Sequence, residues 1–301
     1  MGFLFTVTNI YTHTHNARVL PATAVMMVVS VLSAYTFALV GRLAHQTGAN
    51  TMGELWEREI GKESSWVIDV STFIFAMGCT LTFSIVLGDF LSGLAQGVGA
   101  TGWMATRQTS ILTITALALY PLSLMKSLSA LAPVSIAGVF GIGLTGLYMV
   151  ARCLTPAYKL PHGKFLKSVP LLPSFGVREG PFNPLSSLIL GSMLANAFLA
   201  HFSAPDFVQS LKQDDRLLPN FAKLTAIGFG ATAIINTMIM VAGFLTFGGN
   251  TVGVILNNYS TQDLGAALCR ILSIVSIIGG FPFLLRPAKK ALFNLFFRGE
   301  F

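Results

Sequence analysis

Seven apolar runs, each bracketed by charged residues that stay out of it, constrain this chain more than any other feature. The brackets are Arg18 to Arg42, Asp69 to Asp89, Arg107 to Lys126, Lys126 to Arg152, Glu179 to Asp206, Lys223 to Asp263, and Arg270 to Arg286. A helix needs ~20 predominantly apolar residues to cross a hydrocarbon core ~30 Å thick, and most of these gaps supply that length. The last is short, but a helix starting near Leu264 crosses if Arg270 snorkels to the interface. The expected fold is therefore an all-α polytopic membrane protein with about seven transmembrane helices, and the lipid bilayer is its first partner.

Composition narrows the function classes. Charged residues make up 10% of the chain and hydrophobic ones 53%, with a mean hydropathy of +0.70; a soluble domain would carry about 25% charge. The net charge of +7 comes from loop Lys and Arg, so it reports topology, and no basic stripe with interleaved aromatics points to a nucleic acid. Cys79, Cys153 and Cys269 form no CxxC pair and indicate no redox role. No Ser/His/Asp or HExxH arrangement appears, which speaks against an enzyme, and no cofactor is implied. His13 and His15 form an HxH with no further ligand nearby and read as a solvated loop, so no metal is expected. Met1 to Arg18 lacks the parts of a signal peptide, and Met1-Gly2-Phe3-Leu4-Phe5-Thr6 fits the loose myristoylation pattern as a chance match.

The helices are expected at about Val19 to Ala44, Ser65 to Gly88, Thr109 to Met125, Leu128 to Ala151, Leu185 to Ser210, Leu224 to Phe247 and Leu264 to Leu285. Alternating the loops between two faces puts eleven of the nineteen Lys and Arg on one side and eight on the other, five of these in the Pro-rich loop before Leu185. The positive-inside rule then places the C-terminus in the cytoplasm and the N-terminus outside. The sequon Asn258-Tyr259-Ser260 falls on the outer face.

Two motifs need weighing. Gly141-Ile142-Gly143-Leu144-Thr145-Gly146 spells the dinucleotide fingerprint, but it lies inside an apolar run with no strand before it and no acid about 20 residues on; it reads as helix packing through small residues. The fifth helix carries Ser192, Asn196, His201 and Ser203 in the membrane, followed by Pro205 and Asp206. Polar groups in hydrocarbon normally face a bundle interior or a watery cavity. Pro205 lacks an N–H and clashes with the carbonyl of His201, so the backbone should bend or open there. A discontinuous helix is the usual substrate site of a secondary transporter; the plainer reading is a kinked packing helix with Asn and His as interhelical glue. Pro121, Pro133 and Pro282 mark further kinks.

An ordered series of motifs resembles the amino acid/auxin permease family, which includes the system A and system N glutamine carriers, vesicular GABA carriers and lysosomal amino acid exporters. From about Leu39 onward the series runs through Glu54-Leu55-Trp56 to Gly61-Lys62, then Gly78-Cys79-Thr80 with Gly88-Asp89-Phe90, and Pro121 to Leu131. It continues through Met193 to His201 with Ala204-Pro205, Gly243 to Gly248, and Ile255 to Tyr259 followed by Arg270 and Pro282. The resemblance implies part of an eleven-helix, five-plus-five inverted-repeat transporter, with this chain holding family helices two to eight: a partial transporter domain over 19–301 after a non-family segment 1–18. It implies alternating-access transport of neutral amino acids at the plasma membrane or a vacuolar or lysosomal membrane. Substrate contacts are then expected from Ser192, Asn196, Ala197, Phe198 and His201, with Gly78 and Thr82 lining the other wall. The family's glycine-rich first helix has no counterpart in Met1 to Pro21, and Ile277 to Pro282 lacks the hydroxyls that sodium-coupled members place before the eighth-helix proline. The expectation is thus proton coupling or no ion coupling. The alternatives are a truncated, non-transporting partner or sensor subunit, or a seven-helix receptor, which the prolines and motifs disfavour. Oligomeric state is not implied.

Overall fold

The computed structural model describes residues 19–124, 132–174, 194, 197–211 and 218–297. Among these, five helices are long and apolar enough to cross a membrane: Ala22–Thr47, Ser65–Gly97, Pro133–Leu154, Pro219–Phe247 and Leu264–Phe297. They correspond to the expected first, second, fourth, sixth and seventh helices. We label the elements α1 (Val19–Thr47), α2 (Met52–Glu59), α3 (Ser65–Gly97), α4 (Arg107–Ile114), α5 (Tyr120–Ser123), α6 (Ala132–Leu154), α7 (Ala204–Ser210), α8 (Leu218–Phe247) and α9 (Leu264–Phe297). Large apolar side chains such as Val31, Ile74, Leu81, Phe140 and Ile234 point outward, as helices solvated by lipid require.

Two long helices overrun their expected ends because the charges that should stop them are paired. Asp89 of α3 bonds Arg107 at 2.7 Å, and Arg286 of α9 lies 3.6 Å from Asp206. The expected third helix is instead a chain of short pieces: α4, a π turn at Thr115–Leu119, and α5. Pro121 explains the insertion. It can neither donate to the carbonyl four residues back nor sit close to it. The preceding N–H, that of Tyr120, reaches back five residues to the Thr115 carbonyl, which widens the turn into a π-bulge.

The described residues divide into two compact units. One comprises 19–27, 82–124, 132–174, 194, 197 and 233–280; the other comprises 28–81, 198–211, 218–232 and 281–297. In the first unit α6 and α9 pack antiparallel along a seam of small residues. A Cβ on Gly138 would lie 2.8 Å from Ser276 Cα, one on Gly141 3.1 Å from Leu272 Cβ, and one on Gly279 3.1 Å from Val134 Cγ1. Gly265 faces the Tyr148 ring, and Gly146 faces Met238 of α8. The apparent dinucleotide fingerprint is thus a close-packing surface, as expected of small residues between membrane helices.

The loops of this unit are held by one buried carboxylate. Asp263 Oδ1 accepts from Arg152 Nη2 at 2.7 Å and from the Gly265 amide at 3.0 Å; Oδ2 accepts from the Tyr148 hydroxyl at 2.7 Å and the Tyr158 hydroxyl at 3.0 Å. Tyr158, Phe247 and Tyr259 pack edge to face beneath it, with centroids 4.9–5.5 Å apart. Arg270 does not snorkel as expected. It is 2% exposed and donates to the carbonyls of Leu256 and Tyr259 at 2.9 and 2.7 Å, which cap the turn ahead of α9. The sequon is interior as well: Asn258 is fully buried, its Oδ1 accepts from the Val252 amide and its Nδ2 donates to the Asn250 carbonyl, both at 2.8 Å.

In the second unit carbonyls at and just beyond the end of α1 are satisfied by side chains, as a buried helix terminus requires. Arg58 donates to Thr47, and Gln209 Nε2 to Ala44 and Ala49 at 3.3 and 3.4 Å. Helix α2 begins on a capping pair: Thr51 Oγ1 accepts from the Glu54 amide at 3.1 Å while Glu54 Oε2 accepts from the Asn50 amide at 2.8 Å. Phe37, Ala204, Val208 and Phe221 form the apolar core into which α7 packs.

Candidate functional site

Of the expected substrate contacts, Ser192 and Asn196 lie outside the described residues. Ala197 is still helical; Phe198 is in a turn, and Leu199 and Ala200 follow with no regular structure. The Ala200 amide bonds the Phe198 carbonyl at 3.0 Å, a three-residue turn that no α-helix contains. A 3₁₀ turn at His201–Ser203 leads into α7. The backbone is thus non-helical a few residues upstream of the expected bend at Pro205. Pro205 sits in the first turn of α7, where its missing N–H costs no hydrogen bond and its fixed φ favours helix initiation. The proline starts a new helix rather than deforming an old one.

Around this stretch the second unit supplies partners from four helices. His201 Nε2 lies 2.7 Å from Thr36 Oγ1 of α1, and the Phe37 ring meets the imidazole edge-on at 5.9 Å. His201 Nδ1 is buried and makes no hydrogen bond among the described residues. Phe202 packs on Phe75 of α3 at 5.3 Å, Phe198 stacks on Phe229 of α8 at 6.2 Å, and Asp206 in the first turn of α7 accepts from Lys290 of α9 at 2.6 Å. Gly78 lies on α3 beyond Phe75, and a Cβ there would meet nothing within 4 Å, so the helix surface is open at that point. Thr82 and Ala197 belong to the first unit, Gly78, Phe198 and His201 to the second.

Thr36 is the residue that sequence reasoning missed. A hydroxyl in an apolar span commonly bonds the carbonyl four residues back and so attracts no notice. Thr36 does this, with Leu32 O at 2.8 Å; what marks it out is a partner 165 residues away, which no periodicity reveals. The arrangement sets an imidazole and a hydroxyl against each other on non-helical backbone ahead of α7.

A family model described as transmembrane amino acid transporter protein matches residues 15–300. The chain is 23% identical over 265 residues to the sodium-coupled neutral amino acid transporter 7 of Xenopus laevis, covering 85% of this chain and 56% of that protein. It is 24% identical over 265 residues to the amino acid transporter AVT6C of Arabidopsis thaliana, covering 85% and 58%. Against the vacuolar amino acid transporter 6 of Saccharomyces cerevisiae it is 22% identical over 229 residues, covering 76% and 49%. The chain thus spans about half the length of the curated relatives it matches. No solved structure matches significantly. With the family model covering nearly all of an all-α, membrane-spanning chain, the protein belongs to the transmembrane amino acid transporter family, the amino acid/auxin permeases.

Proposed function

We propose that residues 19–301 form a transport domain that carries neutral amino acids across a membrane by alternating access, coupled to a proton or to no ion. The observation that carries this reading is the non-helical stretch Phe198–Ser203 ahead of α7, with His201 in it and Thr36 against it. Names of relatives that include neutral and vacuolar amino acid carriers support the substrate class and a vacuolar membrane. The Lys and Arg distribution supports a cytoplasmic C-terminus. Within the second unit Phe198, His201 and Gly78 are assigned to the substrate; Ser192, Asn196, Ala197 and Thr82 are assigned to it on the sequence resemblance alone.

The test is amino acid binding to the purified chain in lipid nanodiscs, measured for the parent and for His201→Ala. A hydrogen bond to a charged group is worth about 1.5–3 kcal/mol, so the variant is expected to bind roughly 10- to 100-fold more weakly with its fold intact. Absence of binding by the parent, when a related carrier binds in the same preparation, overturns the reading and leaves a non-transporting partner or sensor subunit.

A further inference from the structure

The contacts of one hydroxyl fix the chemistry of the histidine ahead of α7. Thr36 Oγ1 has a single hydrogen. It lies 2.8 Å from the Leu32 carbonyl, 3.2 Å from the Ser33 carbonyl and 2.7 Å from His201 Nε2. The two carbonyls can only accept, so the hydroxyl hydrogen is required on that side; without it the Oγ1 to Leu32 contact would set two lone pairs against each other at hydrogen-bond distance. The face of Thr36 turned to the imidazole is therefore a lone pair, and Nε2 must carry the proton. A neutral imidazole has one N–H, which leaves Nδ1 as a bare acceptor.

That acceptor is the anomaly of the site. The ring's contact with the Ser33 backbone falls to Nε2 as well; Nδ1 is buried and makes no hydrogen bond among the described residues, whereas nearly all buried polar atoms have a partner and an exception calls for one. The side chain beside the ring, Phe37, meets it edge-on and donates nothing. A missing partner must be a donor small enough to enter between packed aromatic residues, and a charged donor makes the strongest bond there.

We infer that Thr36 holds His201 in its Nε2–H tautomer so that Nδ1 accepts a hydrogen bond from the α-ammonium group of an amino acid bound at the non-helical stretch ahead of α7. This rests on the transport reading above and deepens it: Thr36 acts as a positioning residue, and the substrate is recognised at this point by its ammonium group. A ligand that presents only a carboxylate is excluded from the same position, because two acceptors would face each other.

The test is ¹⁵N NMR of the full chain in nanodiscs with ring-labelled histidine, His201 being distinguished from the other four histidines by substitution. The parent is expected to show a protonated Nε2 and an unprotonated Nδ1. L-Alanine, or failing that each other neutral amino acid in turn, should move the Nδ1 resonance in the direction of a hydrogen-bonded acceptor, and propionate should not. Thr36→Val should give mixed tautomers and about tenfold weaker binding, and Thr36→Ser should restore both. A protonated Nδ1 in the parent, or a Thr36→Val variant with unchanged tautomer and affinity, overturns the inference. An amino acid that stabilises the protein against heat yet leaves Nδ1 unmoved also overturns it while sparing the transport reading. If no amino acid stabilises the protein or moves the resonance, both fall.

Discussion

Asp263 and His201 are both ionisable side chains in a largely apolar protein, and they are treated in opposite ways. Asp263 is 1% exposed and receives four hydrogen bonds, from Arg152, Tyr148, Tyr158 and the Gly265 amide. His201 meets the Thr36 hydroxyl and the Ser33 backbone and keeps a buried nitrogen with no partner among the described residues, beside non-helical backbone. A saturated carboxylate organises the loops around it and has no capacity left for a ligand. An unsaturated imidazole contributes less to folding and keeps a position open. The difference separates structure from function better than burial or charge does.

Asp263→Ala should show the largest effect. It strands the Arg152 guanidinium and two tyrosine hydroxyls, and breaking a buried pair of this kind costs about 3–5 kcal/mol. Arg152 is 28% exposed, which favours the lower end. Thermal unfolding in nanodiscs measures it, and a loss under 1 kcal/mol would place Asp263 with the functional groups. Acid titration is the next test. Burial pushes the Asp263 carboxyl up, but hydrogen bonds from Arg152, Tyr148 and Tyr158 outweigh it and hold the group below its ordinary value. A carboxyl depressed on folding stabilises the protein at pH above its unfolded value, about 3.9, and that stability is lost as pH falls through the lower folded value. The melting temperature should therefore hold steady from neutral pH to about 4 with respect to this group and drop below it, and Asp263→Ala should remove that part of the drop. His201→Ala should shift stability least, by under about 1 kcal/mol, since it deletes one hydrogen bond and relieves one orphaned nitrogen. A larger loss would make His201 a structural residue and erase the contrast.

The spans were legible because hydrocarbon tolerates only long apolar helices, and the paired charges Asp89 and Arg286 are what blurred their ends. The close packing at Gly141 and Gly146 was legible as a small-residue surface, although its partners Leu272 and Met238 were not. Helix α2 carried a readable signal, Thr51 three residues before Glu54, in a stretch treated only as a family segment. The polar helix before Pro205 pointed to non-helical backbone, but not to its place, because a proline is as suited to starting a helix as to bending one. Thr36 and the Asp263 cluster were beyond sequence reasoning for one reason: their partners are 165 and more than 100 residues away, and only the fold brings them together.

The burial of Asn258 has a consequence for mapping which side of the membrane the loops face. Its amide oxygen and nitrogen are both committed to the backbone of the same loop. A glycan attached there would break the turn that Arg270 caps, so a correctly folded molecule carries none whichever side the loop occupies. An unmodified Asn258 therefore says nothing about orientation, and a tag that reports it has to be placed elsewhere, at an exposed loop position such as Leu160 or Leu171.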